Sequence, residues 1–276
     1  MIKKYLLKHK TIYIKINRIR KKVVLRIRSF LKKPKEKPII ILGNQKSGTT
    51  AIAALLAKYI KKNVTLDMLP ICNEIDRLIL QESRFEDFVN KYSILFSTQI
   101  IKEPWLTFIP SQVFLRFPKA KYILIIRDPR DNIRSILDRL KITGNKKKNP
   151  DEIKSLRPGW KQVFMPELYN WDYDNYIEIL ANRWNYATNI DQYIKSKELV
   201  IVRYEDFMNN KTYTIRKLAQ KIGEAGKGNI SDLLTKQFQP KGKSRNITWK
   251  DFYGEENLHK IEKICEDNMR RYNYKK

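Results

Sequence analysis

The fold is decided by a short stretch that reads Ile39-Ile-Ile-Leu-Gly-Asn-Gln-Lys-Ser-Gly-Thr-Thr50. Its run of aliphatic residues, Ile39–Leu42, is typical of a strand buried on both faces of a parallel sheet. The polar turn that follows leads into an apolar segment over residues 51–60, which predicts a helix. A glycine-bearing turn that opens a helix presents backbone N–H groups and the positive end of the helix dipole to an anion. The stretch therefore predicts a phosphate-binding loop.

The spacing within this loop differs from that of nucleotide-hydrolysing proteins. Gly43 and Gly48 match the two glycines of a P-loop. However, Lys46 precedes the second glycine, and Thr49 stands where a Walker A motif has its lysine. The loop is thus predicted to cradle a phosphate without being a Walker A motif. Its candidate binding residues are Gln45, Lys46, Ser47, Gly48, Thr49 and Thr50.

A second candidate phosphate site follows the apolar run over residues 122–126, which predicts another buried strand. Arg127 comes directly after this strand, at the edge where parallel α/β sheets bind their ligands. Its planar guanidinium group suits a phosphate. Ser135 lies about two turns into the next predicted helix, from which its hydroxyl group can reach the same phosphate.

The rest of the chain continues the alternation of strands and helices. Residues 99–102 and 199–202 are predicted strands, and residues 176–194 and 213–222 are predicted amphipathic helices. This alternation predicts an α/β fold, a P-loop-type parallel sheet flanked by helices. Residues 145–162 have loop composition and are a candidate lid or acceptor-binding insertion.

Residues 1–37 form a separate basic segment ahead of the domain predicted over residues 38–276. They hold 15 basic residues and one acid, about half of the net charge of +28. Apolar residues recur in this segment at helical spacing, at Ile12, Ile16, Ile19, Val23, Ile27 and Phe30. The pattern predicts a basic amphipathic helix that can lie on an anionic membrane surface, followed by a linker over residues 32–38. A helix packed on the domain and a solvated arm are the alternatives.

Composition excludes several classes of protein. A hydrophobic fraction of 42% supports a core, and no apolar run approaches the length of a membrane span. No secretory signal is visible, so we expect a cytoplasmic protein, with a peripheral position at the inner membrane face as an extension of the helix prediction. Two cysteines, Cys72 and Cys265, are too few for a disulfide framework or a cysteine-rich metal site. The positive charge predicts affinity for anions, although a lysine-rich composition alone would also explain it.

Four segments together resemble the sulfotransferases that use 3′-phosphoadenosine 5′-phosphosulfate (PAPS). The Lys46–Thr50 segment resembles their 5′-phosphosulfate loop, and the stretch from Arg127 to Ser135 resembles their 3′-phosphate motif. Tyr204, followed by Glu and Asp, resembles the tyrosine near the adenine. The stretch that begins at Gln239 and runs on to Trp249 resembles the basic segment that closes over the nucleotide. The resemblance covers residues 38–274 and is greatest to bacterial, cytoplasmic members.

The resemblance implies transfer of a sulfuryl group from PAPS to a hydroxyl group or amine of a glycan, a lipid or a small molecule, with no metal. It implies cofactor contacts from Arg127, Ser135, Tyr204, Lys241, Gly242 and Lys243. Pro240 stands where the family commonly has an arginine, so Lys241, Lys243 or Arg245 must supply that charge. Lys46 would stabilise the leaving group.

The catalytic base must differ from that of the soluble animal enzymes, which carry a Lys-x-His segment. The corresponding strand end here reads Lys102-Glu103-Pro104, and the histidines His9 and His259 lie in charged surroundings typical of the surface. A carboxylate base is therefore implied. Asp67 and Glu103 are the favoured candidates and Glu74 is a third, while Lys46 and Lys102 complete the candidate catalytic set.

Two other functions are compatible with parts of the sequence. A P-loop kinase or NTPase would use Asp128 to hold magnesium, but the displaced lysine of the loop argues against it. A non-enzymatic nucleic-acid-binding protein would explain the net charge of +28, but it leaves the phosphate loop without a role. Specific nucleic-acid binding is therefore not expected.

Overall fold

The central sheet has five parallel strands in the order β2-β3-β1-β4-β5. The strands are β1 (Ile39–Leu42), β2 (Val64–Leu66), β3 (Ile100–Lys102), β4 (Lys121–Ile126) and β5 (Leu199–Arg203). The computed structural model describes residues 17, 19–68, 74–173, 175–194, 199–240, 242, 244 and 246–275. Several residues named above lie outside this part of the chain: His9, Ile12, Ile16, Cys72, Lys241, Lys243 and Arg245.

Helices cover both faces of the sheet. They are α1 (Thr49–Tyr59), α2 (Ile75–Ile79), α3 (Phe85–Lys91), α4 (Pro110–Arg116), α5 (Pro129–Leu140), α6 (Pro158–Lys161), α7 (Tyr176–Thr188), α8 (Tyr204–Asn209), α9 (Lys211–Lys221), α10 (Ser231–Leu234), α11 (Trp249–Ile264) and α12 (Glu266–Arg271). The N-terminal helix, residues 19–29, precedes them and contacts the domain. Among the described helices, none is long and apolar enough to cross a membrane.

The aliphatic run of β1 separates two hydrophobic cores. Ile40 and Leu42 face the larger core, whereas Ile39 and Ile41 face the core beneath α1. Successive side chains of a strand point to opposite faces, so a strand between two helix layers must be apolar throughout. This arrangement confirms the predicted α/β fold with a helix-flanked parallel sheet.

The structure corrects three local predictions. β2 was not predicted, because three half-buried residues are too few to show a strand pattern. The helix predicted over 176–194 ends at Thr188 and is followed by a separate short turn, Ile190–Gln192. The segment predicted as a loop over 145–162 contains a helical turn, Asp151–Ser155, as well as α6.

The strand order places a crevice at the carboxyl end of β1. β1 pairs with β3 on one side and with β4 on the other, so the loops that leave these strands diverge at this point. Gly43 follows β1 with a φ of 144°, and a Cβ atom there would lie 2.5 Å from the carbonyl oxygen of Ile125. Only glycine can begin the phosphate loop so close to β4.

Candidate active site

The phosphate loop is fastened to the start of α5 by one buried amide. The Nδ2 group of Asn132 donates hydrogen bonds to the carbonyl oxygen of Gln45 (2.9 Å) and to the hydroxyl oxygen of Ser47 (3.1 Å). Its Oδ1 atom accepts a hydrogen bond from Nδ2 of Asn44 (2.9 Å). Asn132 thus holds three residues of the loop, Asn44, Gln45 and Ser47, and no sequence motif indicates this role.

A cavity of about 290 Å³ lies beside this loop. Eight of the predicted cofactor-binding residues line it: Lys46, Gly48, Thr49, Thr50, Arg127, Ser135, Tyr204 and Gly242. Lys211 and Lys236 add positive charge, and no carboxylate is among the described lining residues. The two predicted phosphate sites therefore share one cationic cavity, which is suited to a ligand with more than one anionic group.

Arg127 and Tyr204 form one wall of the cavity. The guanidinium group of Arg127 donates to the carbonyl oxygen of Lys46 (3.1 Å) and lies 4.7 Å from the centre of the Tyr204 ring. Its Nε atom is buried and has no hydrogen-bond partner in the described part of the chain. The indole N–H of Trp184 donates to the carbonyl oxygen of Arg127 (2.8 Å), which holds the end of β4 in place.

Because Gly48 has no side chain, the Tyr204 ring can pack directly against the phosphate loop. The residue has a φ of 91° and precedes α1, and a Cβ atom there would lie 2.3 Å from the Tyr204 ring. Lys46 also has a left-handed backbone, with a φ of 68°. The loop thus contains two conformations that side chains disfavour, which is common where backbone must approach a ligand.

The segment that follows α10 contacts the phosphate loop through Gln239. Gln239 accepts a hydrogen bond from Nζ of Lys46 (2.8 Å) and donates one to the hydroxyl group of Thr50 (3.4 Å). Phe238 and Lys236 of the same segment also line the cavity. The resemblance pointed to this segment through Gln239, but Phe238 and Lys236 carried no sequence signal.

Gln45 and Ser47 are placed differently from the other residues of the loop. The Ser47 side chain is buried against Asn132, and the Gln45 side chain accepts a hydrogen bond from Arg183 of α7 (3.2 Å). Arg183 is only 2% exposed, lies 3.5 Å from the Phe108 ring centre, and donates to the Tyr169 hydroxyl group. It makes no ion pair within the described residues, and burial lowers its pKa. The sequence did not reveal Arg183.

Asp67 lies at the end of β2, paired with a buried lysine. The Nζ atom of Lys102 is 2.5 Å from Oδ1 of Asp67, and Lys102 is only 1% exposed. The Asp67 side chain is 35% exposed, so a ligand can approach it. Because β2 and β1 flank β3, this pair lies at the same edge of the sheet as the phosphate loop.

Glu103 is hydrogen-bonded to the turn that contains Asp67. Its Oε2 atom accepts a hydrogen bond from the backbone N–H of Met68, the residue after Asp67. Burial raises the pKa of Glu103 to about 7, although the nearby charge of Lys102 opposes the rise. Glu103 is thus buried, while Asp67 in the same turn region is partly exposed.

The model of the family described as sulfotransferase domain matches residues 36–263. The chain belongs to the sulfotransferase family. The family resemblance seen in the sequence is therefore confirmed, and the protein is a sulfotransferase.

Two solved sulfotransferases, both from mycobacteria, share the fold of this sulfotransferase at low sequence identity. One from Mycobacterium avium is 12% identical over 88% of this chain and 78% of its own, with a TM-score of 0.51. One from Mycobacterium tuberculosis H37Rv is 11% identical over 86% and 78%, with a TM-score of 0.50. A mouse sulfotransferase complexed with PAP is 14% identical over 89% of each chain, with a TM-score of 0.48. The comparison with curated protein sequences gives no match.

Two other residues named from the sequence have structural partners in this sulfotransferase. Asp128 accepts hydrogen bonds from Arg130 on both carboxylate oxygens, at 3.0 and 2.8 Å, which argues against the magnesium-binding role of the kinase alternative. Glu74 is partly buried, but hydrogen bonds from Lys91, Tyr92 and Lys22 lower its pKa to about 2, which makes it a poor base. His259 is exposed on α11, as predicted for a surface residue.

Proposed function

We propose that this sulfotransferase moves the sulfuryl group of PAPS to a hydroxyl group or amine, with Asp67 as the base. The observation that carries the proposal is the single cavity that Lys46, Arg127 and Ser135 line together. A mononucleotide with phosphate on one side only would leave one of the two sites unused. A nucleotide with phosphates on both its 5′ and 3′ oxygens would use both.

The described residues fit such a nucleotide. The buried Nε atom of Arg127 lacks a hydrogen-bond partner in the described part of the chain, and burial without a partner is costly for a charged group. A 3′-phosphate would supply the acceptor. The Tyr204 ring, against which Arg127 packs, offers a flat surface for a base or ribose.

The loop side of the cavity would bind the group from which sulfur departs. PAPS supplies the sulfuryl group. Lys46, which lines the cavity, and the N–H groups that open α1 would stabilise negative charge on the oxygen that bridges sulfur and phosphorus. This charge increases as the S–O bond breaks, so Lys46 should contribute more to turnover than to binding.

Asp67 would take the proton from the acceptor. Its carboxylate group is partly exposed, and the ion pair with Lys102 holds it in a defined position. The acceptor oxygen or nitrogen then forms its bond to sulfur as its proton passes to Asp67. Glu103 would act as a positioning residue through Met68. The acceptor can be a glycan, a lipid or a small molecule.

The test compares two nucleotides and two variants by thermal shift. Adenosine 3′,5′-bisphosphate should raise the melting temperature of the wild-type protein far more than AMP, which lacks the 3′-phosphate. Arg127→Ala should weaken binding of the bisphosphate by about 1.5–3 kcal/mol and leave AMP binding nearly unchanged. Arg216→Ala removes an exposed arginine of α9 and serves as the matched control. Equal stabilisation of the wild type by both nucleotides would refute the proposal.

A further inference from the structure

One face of the N-terminal helix docks on the domain. Ser29 is buried there, where its carbonyl oxygen accepts a hydrogen bond from the Ser93 hydroxyl group (2.6 Å). Lys22 forms an ion pair with Glu74 (3.0 Å), and Leu25 packs against the larger hydrophobic core. These contacts hold the helix in a fixed orientation, so its opposite face also has a defined direction.

That opposite face carries an apolar stripe that nothing in the described part of the chain covers. Its members are Ile19, Val23, Val24, Ile27, Phe30 and Leu31. Ile27 is 60% exposed and Phe30 is 90% exposed. Of the fourteen large hydrophobic residues exposed in the described residues, six lie in this stripe. At about 100° per residue, Val23, Val24 and Ile27 lie on the side of the helix away from Leu25 and Ser29, and Phe30 and Leu31 extend this surface along the turn that follows the helix. An apolar patch concentrated in this way marks an interaction site.

Positive charge surrounds the stripe. Residues 19–35 contain eight basic residues and no acid. Arg20, Lys21, Arg26 and Arg28 are exposed on the helix beside the apolar residues. An apolar stripe flanked by cations complements a surface that is apolar inside and anionic outside.

We propose that this stripe binds the surface of an anionic lipid bilayer, with the N-terminal helix lying in the membrane interface. The docked face would then join the helix to the domain, so that the bound membrane holds the whole enzyme. A second copy of the chain fits the stripe less well, because its own cations would face those of the first. The proposal does not depend on the identity of the sulfuryl donor.

Vesicle sedimentation tests the proposal with the full-length protein. Vesicles of phosphatidylcholine alone are compared with vesicles that also contain phosphatidylglycerol, at low and at high salt. The wild type should sediment only with the anionic vesicles and only at low salt. The stripe variant, Ile19→Ser/Ile27→Ser/Phe30→Ser, should lose this binding. Leu115→Ser removes an equally exposed apolar residue from α4 and should bind as the wild type does.

A charge variant separates the electrostatic part of the interaction. Arg20→Gln/Lys21→Gln/Arg28→Gln changes exposed residues only, and should weaken binding on the order of fivefold per charge removed. Unchanged melting temperatures will show that these variants fold. The proposal is overturned if the wild type stays in the supernatant with anionic vesicles, or if the stripe variant sediments like the wild type. It is also overturned if sedimentation velocity shows a dimer that the stripe variant abolishes and vesicles do not bind.

Discussion

Asp67 is held in place by its own backbone and by a buried cation. Its left-handed conformation (φ 57°) is one that aspartate adopts more readily than most residues. The ammonium group of Lys102 then fixes the carboxylate, and Lys102 forms no other ion pair within the described residues. Asp67 therefore combines a proposed catalytic role with a structural one, and mutation can separate the two.

Asp67→Asn should lower turnover by about 10²–10⁴-fold while nucleotide binding is retained. The reason is that the asparagine amide cannot take the proton from the substrate that receives the sulfuryl group. It should also lower stability, because Lys102 is left buried without its carboxylate. The double variant Asp67→Asn/Lys102→Met should regain stability without regaining turnover. Steady-state kinetics and urea unfolding measure the two effects, with Glu82→Gln as a control at an exposed ion pair. Normal turnover in Asp67→Asn would exclude Asp67 as the base.

Glu103 should make the stability of the protein depend on pH. Its pKa of about 7 in the folded chain lies above the usual 4.5, so folding favours the protonated form. Its contribution is fully present below the usual pKa and is lost as the pH rises through about 7, a change of about 3 kcal/mol. Glu103→Gln keeps an acceptor for Met68 and should gain stability relative to the wild type at high pH. Urea unfolding at both ends of this range measures the difference, which should be absent if Glu103 titrates normally.

At the scale of elements, the phosphate loop depends on α5 through Asn132. Asn132→Ala should lower the free energy of unfolding by about 1–3 kcal/mol, because the Gln45 carbonyl group and the Asn44 amide lose their buried partner. It should also weaken binding of adenosine 3′,5′-bisphosphate, since the loop is no longer fixed. Asn90→Ala, at an exposed amide of α3, is the control for stability and for calorimetric binding. A loop that binds the nucleotide normally without Asn132 would show that it is rigid by itself.

The sequence predicted the elements whose signals are local. The aliphatic run of β1 and the glycines of the loop lie within a few residues of each other, so the loop and its place in the sheet could be predicted. The contact between Arg183 and Gln45 joins distant parts of the chain, and no local pattern indicates it. The spacing of Ile19, Val23 and Ile27 predicted a helix, but only tertiary contacts show which of its faces is exposed.

At the scale of the whole molecule, Tyr274 ties the C-terminal region to the ligand-binding edge of the sheet. Its hydroxyl group donates to Glu205 (2.9 Å), and Glu205 in turn accepts a hydrogen bond from the backbone N–H of Asp128 (2.9 Å). Tyr274 also packs against Trp184 and Arg203. Tyr274 therefore stabilises Glu205 and Asp128, the residues that directly follow Tyr204 and Arg127 in the chain.

Tyr274→Phe should lower the free energy of unfolding by about 1.5–3 kcal/mol, the range for a hydrogen bond to a charged group. The ring and its packing are kept, so any loss reports on the hydroxyl group. Tyr213→Phe changes an exposed tyrosine of α9 and should have no effect. Chemical denaturation measures both variants, and identical midpoints would mean that Glu205 does not need Tyr274.

The strand order also determines how the newly made chain must fold. The neighbouring strands of the described sheet are parallel, so no hairpin joins them there, and Ile39 pairs with Lys121, far along the chain. Closing such long loops delays sheet formation, so refolding should be slow for a domain of this size. Until β4 has been synthesised, the aliphatic run Ile39–Leu42 lacks a native neighbour on that side and can associate with other nascent chains. The strand that positions the phosphate loop is therefore also a segment that a chaperone would protect during synthesis.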